Sequence, residues 1–175
     1  EEALILQNTL DLGLAPSGYN YYKVGTYVKV LGDINGDGYD DWAVQMLGPD
    51  YESGIGNGSI HMYYGGPNRR ASETPADEVL RGDSTGHYGL FLNAAGDVNN
   101  DGFDDLISFT DKGLELTFGG DPIDRDKDII FTKLEQHSGF MNFASSSGDV
   151  NHDGFNDILL CVPTTVKSTD NAHVY

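Results

Sequence analysis

"GDINGDGYDD", residues 32–41, places five carboxylate or amide side chains and three glycines in ten positions. A turn that crowds so much negative charge needs something positive beside it. The stretch recurs as "GDVNNDGFDD" at 96–105 and "GDVNHDGFND" at 148–157. The first aspartates, Asp33, Asp97 and Asp149, stand 64 and then 52 residues apart. Self-similarity of this kind means a repeat architecture, and it overrides any reading of one segment alone.

The flanks repeat as well. Short apolar or alternating runs precede each turn ("TYVKVLGD", "LFLNAAGD", "MNFASSSGD") and follow it ("DDWAVQML", "DDLISFT", "NDILLCVP"). A third run ends in aromatic-Gly-Gly in "SIHMYYGG" and "LELTFGG", and a fourth follows a polar connector in "ADEVLRGDS" and "KDIIFTKLEQ". The runs are short, rich in β-branched and aromatic residues, and punctuated by Gly, Pro, Asn and Asp, with no 3.6-residue period. The unit is therefore four short antiparallel strands, the acidic turn joining the first to the second. An all-β chain of three propeller-type blades is expected, at about 20–83, 84–136 and 137–175, with the connectors 67–78 and 121–128 as solvated loops.

Alternate residues of a tight turn point their oxygens inward, and a glycine at the sixth position permits the bend. Counted from the first aspartate, positions 1, 3, 5 and 9 are Asp33, Asn35, Asp37 and Asp41; Asp97, Asn99, Asp101 and Asp105; and Asp149, Asn151, Asp153 and Asp157. The backbone carbonyls of Tyr39, Phe103 and Phe155 occupy position 7. Hard oxygen donors without His or Cys select calcium over zinc or copper, and magnesium prefers to keep its waters. Position 12 is Val44, Ser108 or Leu160 rather than Glu, so this is no helical calcium hand, and the ninth residue closes the shell. Plain Asx turns would need one Asp or Asn each, not three and a glycine at fixed offsets in three copies. Three structural Ca²⁺ sites are expected.

Composition agrees. Ten Lys and Arg against 28 Asp and Glu give a net charge of −18, which argues against nucleic acid and anionic membranes as partners, because both need a basic face. The single cysteine, Cys161, excludes an internal disulfide framework. No apolar run reaches the ~20 residues of a membrane span, and no signal peptide is visible. The start at Glu-Glu, without methionine, reads as a processed product or a fragment.

These turns resemble the FG-GAP repeats of integrin α-chain β-propellers and of many secreted proteins, over nearly the whole chain. The family's aromatic-Gly pair corresponds to Tyr88-Gly89, and in degenerate form to Val24-Gly25 and Phe140-Met141. Its Gly-Ala-Pro leaves only the proline of Cys161-Val162-Pro163. The resemblance implies an extracellular calcium-binding module, secreted or on the cell surface, with its turns on one face and a protein or glycan ligand on the other.

Propellers have about 4 to 8 blades, and three turns do not close a ring. Residues 1–13 read as a strand that completes another blade, in this chain, a longer one or a neighbouring subunit; self-assembly through that strand is one expectation and a fragment of a larger ring the other. "RGDS" at 81–84 is an integrin-type tripeptide but also an ordinary turn, and "NGS" at 57–59 is a glycosylation sequon. Tyr19, Tyr21, Tyr22, Tyr51, His87, Tyr88 and His137 suit a sugar-binding surface, which makes a lectin the alternative. No phosphate loop, zinc-protease helix or nucleophile elbow is present. A non-catalytic module for adhesion, assembly or recognition is expected, with the propeller part of a larger secreted hydrolase or lyase as a further alternative.

Overall fold

The computed structural model describes residues 23–47, 58–67, 75–82, 88–89, 91–110, 113–131, 143–161 and 172–174. Among them the chain is all-β, apart from one short 3-10 turn at Arg125–Lys127. Strands β1 (Lys23–Gly32), β2 (Asp41–Leu47), β3 (Ser59–Tyr63) and β4 (Glu78–Arg81) form the first antiparallel sheet, in that order. The second sheet is β5 (Leu92–Gly96), β6 (Asp105–Thr110), β7 (Gly113–Thr117) and β8 (Ile129–Phe131), again in chain order. The third is β9 (Phe143–Gly148), β10 (Asp157–Cys161) and β11 (Ala172–Val174). Each acidic turn joins the first two strands of its sheet, where pairing ends at Gly32↔Asp41, Gly96↔Asp105 and Gly148↔Asp157.

Period-2 alternation explains why the sheets stack. In β7, Leu114 and Leu116 point to one side and Glu115 to the other, yet all are buried, because both faces are covered. Leu31, Ala43, Ile60, Met62 and Leu80 of the first sheet pack on Leu92 and Leu106 of the second. The second sheet's other face sets Ala95, Ile107, Leu114 and Leu116 against Ala144 and Leu160 of the third. First strands lie beside first strands: β5 packs on β1 and on β9. That arrangement is propeller-like, and among the described residues the stack does not close into a ring.

Two expectations change. Residues 121–128 are not merely a solvated loop, since Asp128 is largely buried and Arg125 reaches into the contact between the first two sheets. Tyr88 is no surface aromatic: it is 3% exposed and wedged between those sheets. Residues 1–13, the other sugar-site candidates, Asn57 of the sequon and Asp83 of the RGD lie outside the described residues.

Candidate metal centres at the acidic turns

The three turns share one hydrogen-bond pattern. The first aspartate accepts the N–H of position 5 on Oδ1, at 2.9, 3.1 and 3.1 Å in chain order. It accepts the N–H of position 6 on Oδ2, at 2.8, 2.9 and 2.9 Å. The Asn35, Asn99 and Asn151 amide oxygens also accept the position-5 N–H, and Asp37, Asp101 and Asp153 accept the N–H of position 7. These local bonds hold the backbone in a tight coil that needs two left-handed residues. One is the glycine at position 6, with φ of 89°, 94° and 94°. The other is position 4, where Gly36, Asn100 and His152 all have positive φ.

The ninth aspartate does a second job. Asp41 is fully buried and accepts Ile34 N–H at 2.9 Å on one oxygen and Gly65 N–H at 2.7 Å on the other. Asp105 does the same with Val98 and Gly119, at 2.8 and 2.9 Å, and Asp157 accepts Val150 N–H at 2.8 Å. Burial pushes the Asp105 carboxyl up to about 6 and raises Asp41 as well, against the pull of those amides. The ninth residue thus ties the turn to its own sheet.

Do these residues suit a calcium ion? The donor set is all oxygen, four side chains and one carbonyl on a nine-residue arc, which is the chemistry a hard divalent cation takes. Among the described residues no three His, Cys, Asp or Glu already converge as a closed cluster. The carboxylates instead face backbone amides, and each oxygen so engaged keeps a second lone pair. The set fits; the turn is preorganised in backbone.

Sequence reasoning passed over the eighth position, Asp40, Asp104 and Asn156. Asp104 donates its N–H to the Asp33 carbonyl (3.0 Å) and accepts Asp33 N–H on Oδ2 (2.8 Å). Asn156 likewise donates to the Asp97 carbonyl at 3.1 Å. The second and third turns therefore each grip the one before, and the three stand in a row along one edge of the stack. The signal was present, an acid or amide in all three copies, but its partner lies in another repeat. Away from this edge, Tyr88 donates to Glu115 at 3.3 Å, and Arg125 joins Glu115 (2.6 Å), Asp128 (3.2 Å) and the Arg81 carbonyl (3.0 Å) while covering the Tyr88 ring. Burial, then the Glu115 charge, pushes the Tyr88 hydroxyl above its usual range.

No family model matches the chain. It is 33% identical over 128 residues, 67% of its length, to mouse phosphatidylinositol-glycan-specific phospholipase D. It is 25% identical over 167 residues, 85% of its length, to integrin alpha-5 of Xenopus laevis, and 25% over 173 residues, 90%, to integrin alpha-8 of Gallus gallus. The chain spans only 14 to 15% of the length of these relatives. Three stacked antiparallel sheets, each with the acidic turn between its first two strands, and several integrin alpha chains matching over most of the sequence put the chain in an FG-GAP-like repeat family.

Proposed function

We propose that the chain is a calcium-stabilised, non-catalytic propeller module of an extracellular or cell-surface protein, serving recognition or assembly. The observation that carries this reading is the common geometry of the three turns, which gives one oxygen donor set three times over. Asp33, Asn35, Asp37, the Tyr39 carbonyl and Asp41 would hold the first ion. Asp97, Asn99, Asp101, the Phe103 carbonyl and Asp105 would hold the second, and Asp149, Asn151, Asp153, the Phe155 carbonyl and Asp157 the third. The ions supply charge neutralisation: three would bring the formal charge from −18 to −12. The integrin and phospholipase relatives support the extracellular setting.

Extracellular calcium modules bind at roughly 10⁻⁴ to 10⁻³ M. At the tighter end, with calcium at ~1–2 mM, each site stabilises the fold by about 1.5 kcal/mol. Three sites contribute about 4–5 kcal/mol, a large share of a domain's usual ~5–15 kcal/mol. The test is thermal melting in millimolar calcium and in chelator, for the chain and for Asp33→Ala, Asp97→Ala and Asp149→Ala. Each substitution should remove about one third of the calcium-dependent stabilisation. Melting that ignores chelator in the intact chain would overturn the reading.

One relative favours a second reading. The match to a phospholipase D suggests that such a module can accompany a catalytic region elsewhere in a longer chain. Activity on a phosphatidylinositol glycan that survives deletion of residues 1–175 from the longer protein would support it. The lectin alternative loses one of its seven aromatic and His residues, because Tyr88 is core.

A further inference from the structure

Asn35 and Gly36 form one of two Asn-Gly pairs in the chain, the other being Asn57-Gly58. Two separate demands of the fold place the first pair. The third position of an acidic turn is an amide in all three copies, Asn35, Asn99 and Asn151, and each accepts the position-5 N–H. The fourth position differs. A Cβ on Gly36 would collide with the Phe103 ring of the next turn, so packing between repeats keeps this residue bare. Asn100 and His152 carry side chains at the same place, with φ of 57° and 61° against 76° at Gly36.

The first turn also leaves this pair poised to react. The Asn35 amide oxygen accepts Asp37 N–H at 3.1 Å, which folds the carboxamide back over the peptide between Asn35 and Gly36. The same bond polarises Cγ and stabilises charge that develops on its oxygen. The N–H groups of Asp33, Ile34, Asp37, Gly38 and Tyr39 are all engaged by carboxylates. Among the described residues the Gly36 N–H has no acceptor, and Gly36 is exposed to water.

We propose that Asn35 is a self-modifying site, at which the Gly36 nitrogen attacks Asn35 Cγ and expels ammonia. The Gly36 N–Cγ bond forms, the Cγ–Nδ2 bond breaks, and the Gly36 N–H proton leaves with the ammonia. Water then opens the five-membered imide at either carbonyl, which leaves aspartate or isoaspartate at position 35. Asn99 and Asn151 share the hydrogen bonds, but the Cβ of the next residue crowds the attacking nitrogen and slows them. The product adds a negative charge to a chain already at −18. It also alters the first donor set alone: aspartate makes its third donor a carboxylate, and isoaspartate inserts a methylene into the turn. That last consequence rests on the calcium reading; the conversion does not.

The test ages the full chain in mildly alkaline buffer, with calcium and in parallel with chelator, while circular dichroism follows the fold. Peptide fragmentation by mass spectrometry locates each exchange of amide for acid and keeps Asn35 apart from Asn57. In the folded chain, Asn35 should convert at least about tenfold faster than Asn99 or Asn151 in one buffer or both. Isoaspartate should appear among the products, since direct hydrolysis would give aspartate alone. Asn100→Gly, which suits the positive φ there, should raise Asn99 to the Asn35 rate. The proposal fails if Asn35 is no faster than the other two in both buffers, or converts only after urea unfolds the sheets. It fails equally if no isoaspartate forms or if Asn99 stays slow in Asn100→Gly. Melting reads the ion and mass reads the conversion, so either idea can fall without the other.

Discussion

Gly96 and Gly102 share a left-handed backbone but not a neighbourhood. Among the described residues nothing lies within 4 Å of a methyl added at Gly102, so Gly102→Ala meets only backbone strain, about 1 kcal/mol. Gly96→Ala must also displace the Asn156 amide, and about 2–3 kcal/mol is expected. Urea midpoints at unchanged slope will read the difference. His61 offers a pH test. Burial, then the Arg81 charge, holds its ring down at about 4 from the usual 6.5, and it faces Ser59 at 3.1 Å. Below 6.5 the unfolded chain takes up a proton that the folded chain refuses, so stability falls as pH drops from 6.5 towards 4. His61→Gln should flatten that stretch of the urea midpoint against pH relative to the parent. At this scale the turn's glycine and its alternating oxygens were legible because they sit at fixed local offsets. The eighth residue's role was not, since Asp104 meets Asp33 across 71 residues.

At the scale of elements, the joint between the first two sheets depends on a wedge and a clamp. Tyr88 fills the gap between them, so Tyr88→Ala should cost about 3–5 kcal/mol through the cavity left behind. Tyr88→Phe loses only the hydroxyl's bond to Glu115 and should cost about 1 kcal/mol. Denaturant titration of both variants separates packing from hydrogen bonding. The strands were readable from alternation, as in "LELT", where each apolar residue answers a neighbouring sheet. The clamp was not. "DPIDRDKD" carries six charges in eight residues and reads as solvated, yet the fold turns Arg125 onto Glu115 and a carbonyl of the other sheet. Tyr88 reads as a surface ring in the sequence because nothing local reveals which sheet end another sheet will cover.

Across the whole molecule, the three turns gather eleven carboxylates along one edge of a chain with net charge −18. Most of those groups sit near water, where added salt shortens the range of their repulsion. On the proposed calcium reading, about 0.5 M sodium chloride should therefore restore in chelator part of the melting temperature that removing the ion costs, and add only the ordinary salt effect when calcium is saturating. Repetition made the three sheets and their acidic turns visible in advance, because periodicity survives even where single strands are ambiguous. The course of the stack at its two ends was not, since it depends on what meets an outer face. That same architecture has a mechanical side. Its main contacts between sheets join neighbours in sequence, so the stack behaves as a row of coupled units rather than one core. Drawn lengthwise, it would bear load through successive joints in series and yield one sheet at a time, as a chain of small latches rather than a solid bar.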